Sequence, residues 1–342
     1  MASIRDVAKL AGVSPSTVSR ALSQKIYVEE ETRNKVLAAI RELDYKPSLA
    51  ARSLKNTNSK LLGLVLPDIQ NPYYPKIVKY IEEYARDKGY SVILCDTFED
   101  KERECGFFAT LENLFVDGIL FLPSTEDTNH ILPYIGKIPI VIINRKFDIG
   151  VTCVLGDDYA GGYEVGKYLM EQGHKRIVCM INDKKRQYNP ERLDGFSRAF
   201  KEFKMDGADF DIVKNVSSVE DACRKAREFL VKADERPTAV FVFNDNLVSG
   251  VYHAAYELGI KIPEELSVVG YDDALSSLYM VPPLTTYEHP AKEIAQMALN
   301  LLIQEIQEKE NNGGSVCRIA GKLQIRQSAC PPGEMKEKVN KQ

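Results

Sequence analysis

From Ile4 to Leu22 the apolar residues recur at helical spacing on either side of a single glycine. Ile4, Val7, Ala8 and Ala11 fall at i, i+3, i+4 and i+7, which places them on one face of a helix. Gly12 suits a tight turn because glycine accepts positive φ without steric cost. Ser14 can then cap a second helix, and Pro15 fits its first turn, where a missing N–H matters least. Val18, Ala21 and Leu22 give this helix a buried side and leave Ser16, Thr17, Ser19 and Arg20 pointing outwards. Residues 30–44 read as a third helix, with Val36, Ile40 and Leu43 closing a small core. Tyr45-Lys46-Pro47 breaks it, since proline disfavours a helical residue before itself. Residues 48–55 have length for barely two turns and are expected to be disordered unless something packs on them. Residues 56–60 are a polar connector.

From Leu61 the pattern changes to short β-branched runs alternating with amphipathic helices. Strands are expected at 61–66, 90–95, 118–122, 138–144 and 151–155. A second series follows at 176–181, 210–213, 239–243, 266–270, 285–289 and 318–326. Helices fill the gaps at 74–88, 102–114, 161–172, 191–203, 221–232, 245–258 and 291–307. Strands that read as continuous apolar runs are buried on both faces, which argues for parallel sheets with helices on each side. Two such series predict two doubly wound α/β lobes. Ligands in open α/β sheets bind beyond the carboxyl ends of strands, so a cleft between the lobes is the default site.

Two short helices, a tight turn and a small polar outward face match a helix-turn-helix, whose second helix enters the DNA major groove. An ordinary helical hairpin would satisfy the same periodicity, and charge separates the two readings. Residues 1–60 carry a net charge of +5 in a chain whose total is −4, leaving −9 on residues 61–342. A basic end on an acidic body is the footprint of one domain that meets phosphates and one that does not. The seven cysteines are scattered, odd in number and never form CxxC, which favours reduced thiols over a disulfide scaffold. No signal peptide and no membrane-length apolar run is visible, so a cytoplasmic location without membrane contact is expected.

Nothing asks for catalysis. Gly161-x4-Gly166-Lys167-Tyr168 approaches a phosphate-binding loop, but Tyr168 replaces the hydroxyl residue that holds magnesium, and helical periodicity runs straight through it. The four histidines lie far apart without metal-ligand spacing, and no GxSxG or GxGxxG follows a strand. Neither an enzyme, a metal site nor a cofactor is expected. Candidate ligand contacts sit where strands end. Tyr73 and Tyr74 follow the first strand, where they either stack on a sugar or base or cap the lobe core. Arg192 opens a helix with five donors in a fixed fork, suited to paired hydroxyls or a carboxylate. Asn244-Asp245 and Asp272-Asp273 end two later strands as possible acceptors, although helix capping is the commoner role for Asp245 and Asp273.

IRDVAKLAGVSPSTVSRAL, the block KPSLAARSL at 46–54, and GDDYAGGYEVGKYL, GHKRI, ERLDGF, PTAVFVFND, SVVGYDDA and PPLTTYEHP resemble the lactose-repressor/galactose-repressor family nearly throughout. The resemblance implies an N-terminal all-α helix-turn-helix domain plus an α/β periplasmic-binding-protein-like core of two doubly wound lobes. It implies a helix-turn-helix domain at 1–46, a hinge helix and linker at 47–60, and a two-lobed effector-binding and dimerisation core at 61–328. The N-lobe then takes about 61–158 and 290–316, the C-lobe about 161–287 and 319–328, and 329–342 is a flexible tail. The three crossings between lobes are expected near 156–161, 287–290 and 316–319. In the family the hinge helix folds when two subunits pair over DNA and wedges a leucine between central base pairs. The matching residue is Leu54, and such a wedge exchanges a few kcal/mol of unstacking for a kinked duplex.

DNA contacts are expected from Ser14, Pro15, Ser16, Thr17, Ser19, Arg20 and Leu54, on a pseudo-palindromic double-stranded operator bound by a homodimer. Effector contacts are expected from Tyr73, Tyr74, Arg192, Asn244 and Asp272. The implied function is a repressor of carbohydrate-use genes, controlled by a small molecule such as a sugar or sugar phosphate. A corepressor-dependent regulator, and a sugar-binding sensor without DNA function, are the alternatives. There is one departure. Many family members carry a ligand-stacking aromatic shortly after the strand near residue 213, and this chain has Asn215-Val216-Ser217-Ser218 there.

Overall fold

The computed structural model describes residues 2–23, 28–45, 59–125, 127–182, 190–203, 205–232, 236–308 and 314–332. The chain divides into two compact units, Met1–Ser59 and Lys60–Gln342. The expected hinge helix, with Leu54, lies outside the described residues.

In the small unit, α1 (Ile4–Ala11) starts in a capping box: Ser3 Oγ accepts from the Asp6 N–H while Asp6 accepts from the Ser3 N–H. Gly12 ends it at φ 66°, with the Val13 N–H donating to the Ala8 carbonyl. Helices α2 (Pro15–Ser23) and α3 (Glu30–Glu42) complete a three-helix core built on Val7, Ala8, Val18, Ala21, Val36, Ala39 and Tyr45. Ile4, Ala11, Leu22, Ile40 and Leu43 pack around its edge.

The large unit holds two six-stranded sheets. The first comprises β1 (Leu61–Leu66), β2 (Ser91–Asp96), β3 (Gly118–Phe121), β4 (Ile140–Ile143), β5 (Thr152–Gly156) and β11 (Val316–Ile319), in the order β11-β5-β4-β3-β1-β2. Every pairing in it is parallel. Helices α4 (Tyr73–Asp87) and α10 (Ala291–Glu308) pack on one face, where Ile77, Ile81, Ile294, Ala298 and Leu302 meet Leu62, Leu64 and Leu120. Helix α5 (Lys101–Asn113) supplies Phe108 and Leu111 to the other face.

The second sheet comprises β6 (Arg176–Met180), β7 (Asp209–Val213), β8 (Ala239–Val242), β9 (Ser267–Tyr271), β10 (Thr285–Glu288) and β12 (Lys322–Gln324), in the order β12-β10-β9-β8-β6-β7. Only β12 runs antiparallel, against β10. Helices α6 (Asp158–Glu171) and α7 (Pro190–Phe203) cover one face, and α8 (Val219–Leu230) and α9 (Asp245–Glu257) cover the other. Two doubly wound lobes thus follow from strands that are apolar on both sides.

Two expectations need correction. Residues 318–326 are not one strand: β11 belongs to the first sheet and β12 to the second, so the third crossing falls at Ala320-Gly321 and not at 316–319. The tail does not begin at 329. Ala329 packs on the second lobe, and the Cys330 N–H donates to Ser267 Oγ, whose hydroxyl in turn donates to the Cys330 carbonyl.

Candidate functional site

The outward face of α2 is built by its cap. Ser14 Oγ accepts from the Thr17 N–H at 3.2 Å and also bonds the hydroxyls of Ser16 and Thr17. Ser14, Pro15, Ser16 and Arg20 are exposed, whereas Thr17 and Ser19 are half-buried at the edge of the face. Val18 beneath is fully buried, so the helix cannot rotate without exposing its anchor.

In the large unit a cavity of about 230 Å³ opens where the strands of both lobes end. Asp68 follows β1, Ser124 follows β3, Asn144 and Arg145 follow β4, and Asp158 follows β5. From the second lobe, Asn182, Ser217, Asn244, Asp272 and His289 follow β6 to β10 in turn. This is where loops on the two sides of a switch in strand order diverge and leave a crevice.

Two helices bring the charged centre together. Gly162 and Gly195 let α6 and α7 approach until a Cβ at either would collide with backbone, the Arg192 carbonyl at the first and the Tyr159 carbonyl at the second. That contact sets Arg192 of α7 beside Asp158 of α6. Arg192 Nε and Nη2 donate to Asp158 Oδ1 at 3.0 and 2.6 Å, Nη1 donates to the Phe243 carbonyl, and the guanidinium lies 3.3 Å from the centre of the Tyr271 ring. Burial pushes the Asp158 carboxyl up, but Arg192, with smaller help from His289 and hydrogen bonds, outweighs it and holds the group below its usual range. From the sequence Arg192 is expected as an effector contact; the structure shows three of its donors already spent on the protein.

Asp272 is buried in a left-handed backbone conformation at φ 105° and accepts from Asn244 Nδ2 at 2.7 Å. Burial drives its carboxyl well above the ordinary range, against the pull of Arg192. Asn244 also caps α9 through its Oδ1, so Asp245 is not the cap. Asp245 instead accepts from Thr286 Oγ1 and the Ala274 N–H, and burial pushes it up to about 7. Asp273 pairs with Arg326 at 2.6 Å.

The core-capping role holds for Tyr73, which is buried in the first-lobe core, while Tyr74 packs at the edge of that core; both rings also line the cavity. Tyr73 accepts from Asn144 Nδ2 at 2.8 Å and meets the His289 ring edge-on at 4.9 Å. Asn144, at φ 64°, is left with its buried Oδ1 unbonded, and His289 with its buried Nδ1 unbonded. Burial lowers the His289 imidazole to about 4, so it is neutral at pH 7. Asn144, Asp158 and His289 escaped the sequence reading, although each lies within two residues of a strand end. Where the family aromatic would stand, Ser217 lines the cavity and Val216 is buried in the lobe core.

Residues 3–48 match the profile of bacterial regulatory proteins of the lacI family, and residues 59–327 match that of periplasmic binding proteins and the sugar-binding domain of the LacI family. The chain belongs to the LacI family. Among LacI-family relatives, the HTH-type transcriptional repressor PurR of Vibrio atlanticus is 35% identical, over 91% of this chain and 94% of the relative. The lac repressor dimer bound to operator and the anti-inducer ONPF superposes with a TM-score of 0.81 at 24% identity, covering 96% of this chain and 99% of that one, and so shares the fold. A LacI-family regulator from Enterococcus faecium with bound ribose gives 0.72 at 28% identity, covering 79% and 99%. Among the described residues, no helix of this LacI-family chain is long and apolar enough to cross a membrane.

Proposed function

We propose that the chain is a cytoplasmic repressor that binds pseudo-palindromic operator DNA as a homodimer and is controlled by a small uncharged sugar in the core cavity. The observation that carries the reading is the pairing of a capped, outward-facing α2 with a ligand-sized cavity in one LacI-family chain. Ser16, Thr17 and Arg20 face the major groove, and a bidentate Arg20–guanine contact is worth ~1–3 kcal/mol of discrimination. Ser14, Pro15 and Ser19 lie along the flank that meets phosphates, which position without specifying. Leu54 supplies the minor-groove wedge.

Dimerisation has a surface to use. Leu275, Leu278, Tyr279 and Val281 are exposed close together in sequence, Val281 at 90%. Such a run of exposed apolar side chains is what a second copy would cover.

The cavity is smaller than the ~300–1,000 Å³ pockets that take drug-sized ligands, which favours one sugar ring. Its lining carries Asp68, Glu99, Asp158 and Asp272 against Arg145 and Arg192, so acceptors outnumber cations. Hydroxyl donors suit it and a phosphate ester does not. The ribose-bound relative supports a pentose as the first ligand to try. Catalysis has no support, since the relatives are transcriptional repressors. Selection of genomic fragments on the purified chain tests the DNA half: a palindromic site with affinity falling steeply in salt is expected, and salt-insensitive or sequence-blind binding would refute it. Thermal-shift titration with D-ribose, other pentoses and their phosphates tests the ligand half, with stabilisation expected from a neutral sugar only.

A further inference from the structure

Helices α8 and α9 pack side by side on the second lobe. Asn244 starts α9 at the cavity, so His253 stands about 13 Å further along it, at ~1.5 Å per residue. His253 and Glu257 are four residues apart and share a helix face, with His253 Nε2 at 3.4 Å from Glu257 Oε1. Cys223 of α8 reaches the same spot from the neighbouring helix. One donor atom from each of the three lies within 4.8 Å of the others. We propose that Cys223, His253 and Glu257 form a binding site for a borderline-soft divalent transition-metal ion of the zinc type, which clips α8 to α9.

The donor set selects the ion. A thiolate beside an imidazole favours zinc or cobalt over calcium or magnesium, which prefer all-oxygen shells. Metal–ligand distances of about 2.0–2.3 Å put tetrahedral donor atoms roughly 3.3–3.8 Å apart. A contraction of about 1 Å is therefore needed, and the side chains of His253 and Glu257, 60% and 37% exposed, have room to supply it once Glu257 leaves Arg227. Three protein ligands leave the fourth position to water.

Arg227, one turn beyond Cys223 on α8, is the competitor. It pairs with Glu257 and stands beside the Cys223 sulfur, and Glu257 raises its pKa. An exposed pair of this kind contributes little, so a dication displaces it. Of the other charges near Cys223 on α8, Asp221 and Glu228 both pair with Arg224, and Lys225 donates to the Lys214 and Asn215 carbonyls. Sequence spacing could not show the site, because its third ligand comes from a different helix.

The test uses the full-length chain and cobalt as a spectroscopic probe. The expected result is one equivalent bound with a thiolate-to-cobalt charge-transfer band, absent in Cys223→Ser. His253→Gln should weaken binding at least about tenfold, the lower end of what even second-sphere changes cost. Arg227→Gln should tighten it by removing the competitor. Zinc should raise the thermal midpoint of the wild type and not that of His253→Gln. Should Cys223→Ser fail to fold, the exposed His253 variant decides. A band that survives Cys223→Ser places the metal on one of the other cysteines and overturns the proposal. So does wild type with no band, or equal affinity in wild type and His253→Gln.

Discussion

Arg192→Ala should destabilise the large unit, and should do so in a pH-dependent way. The side chains of Arg192 and Asp158 are only 12% and 6% exposed. Removing one partner of a buried pair leaves an uncompensated charge and costs about 3–5 kcal/mol. Loss of the guanidinium from the Tyr271 ring and the Phe243 carbonyl adds to this.

The sign follows from Asp158. In the wild type its folded pKa is depressed, so its contribution is full above the unfolded value of about 3.9 and is lost as pH falls through the folded value. In the variant only His289 and the Tyr271 hydroxyl still oppose burial, and with the Arg192 charge gone the folded pKa rises. The penalty is then absent at low pH and grows as pH rises past about 4. Both changes widen the gap between the proteins with rising pH. Denaturant unfolding of both at pH 4 and pH 7.5 measures it; groups remote from Arg192 cancel in the difference, while Asp272 and His289, both held lower by Arg192, rise in the variant and widen the gap in the same direction. Arg192→Met combined with Asp158→Asn should recover most of the loss. A gap equal at both pH values, or wild-type stability in Arg192→Ala, would refute the account of Arg192 as a partner of Asp158 first and a ligand contact second.

Gly195→Ala should force α6 and α7 apart and cost ~1–3 kcal/mol, read as a lower thermal midpoint together with weaker ligand binding. Val281→Asp should shift the chain towards monomer in analytical ultracentrifugation and weaken operator binding, while ligand binding persists. Leu54→Ala should weaken operator binding more than non-specific DNA binding; equal losses would remove the wedge.

The sequence made the small unit legible because its signals are local. Gly12 at positive φ, Ser14 as cap and Val18 as anchor each declare themselves within a few neighbours. The lobes were legible from apolar runs such as Leu61–Leu66. Residues 318–326 misled because β11 and β12 continue one alternation and only Ala320-Gly321 separates two different sheets. At the cavity, Arg192 could be named from its type and position, but not the direction in which it spends its donors. That is set by the glycine contact of α6 with α7, which brings Asp158 alongside. Asn144 and His289 were hidden for a similar reason. Each is an ordinary residue after a strand until Tyr73, from another element, orients or packs against it.

The central claim is that occupancy of the core cavity sets DNA affinity. Fluorescence anisotropy of a labelled selected operator, titrated with wild type and Asp272→Ala with and without the stabilising sugar, tests it at fixed salt. A 5–150-fold change in wild-type affinity is expected, corresponding to a coupling of ~1–3 kcal/mol, with no change in Asp272→Ala. A sugar that stabilises the wild type yet leaves its operator affinity unchanged would contradict the account.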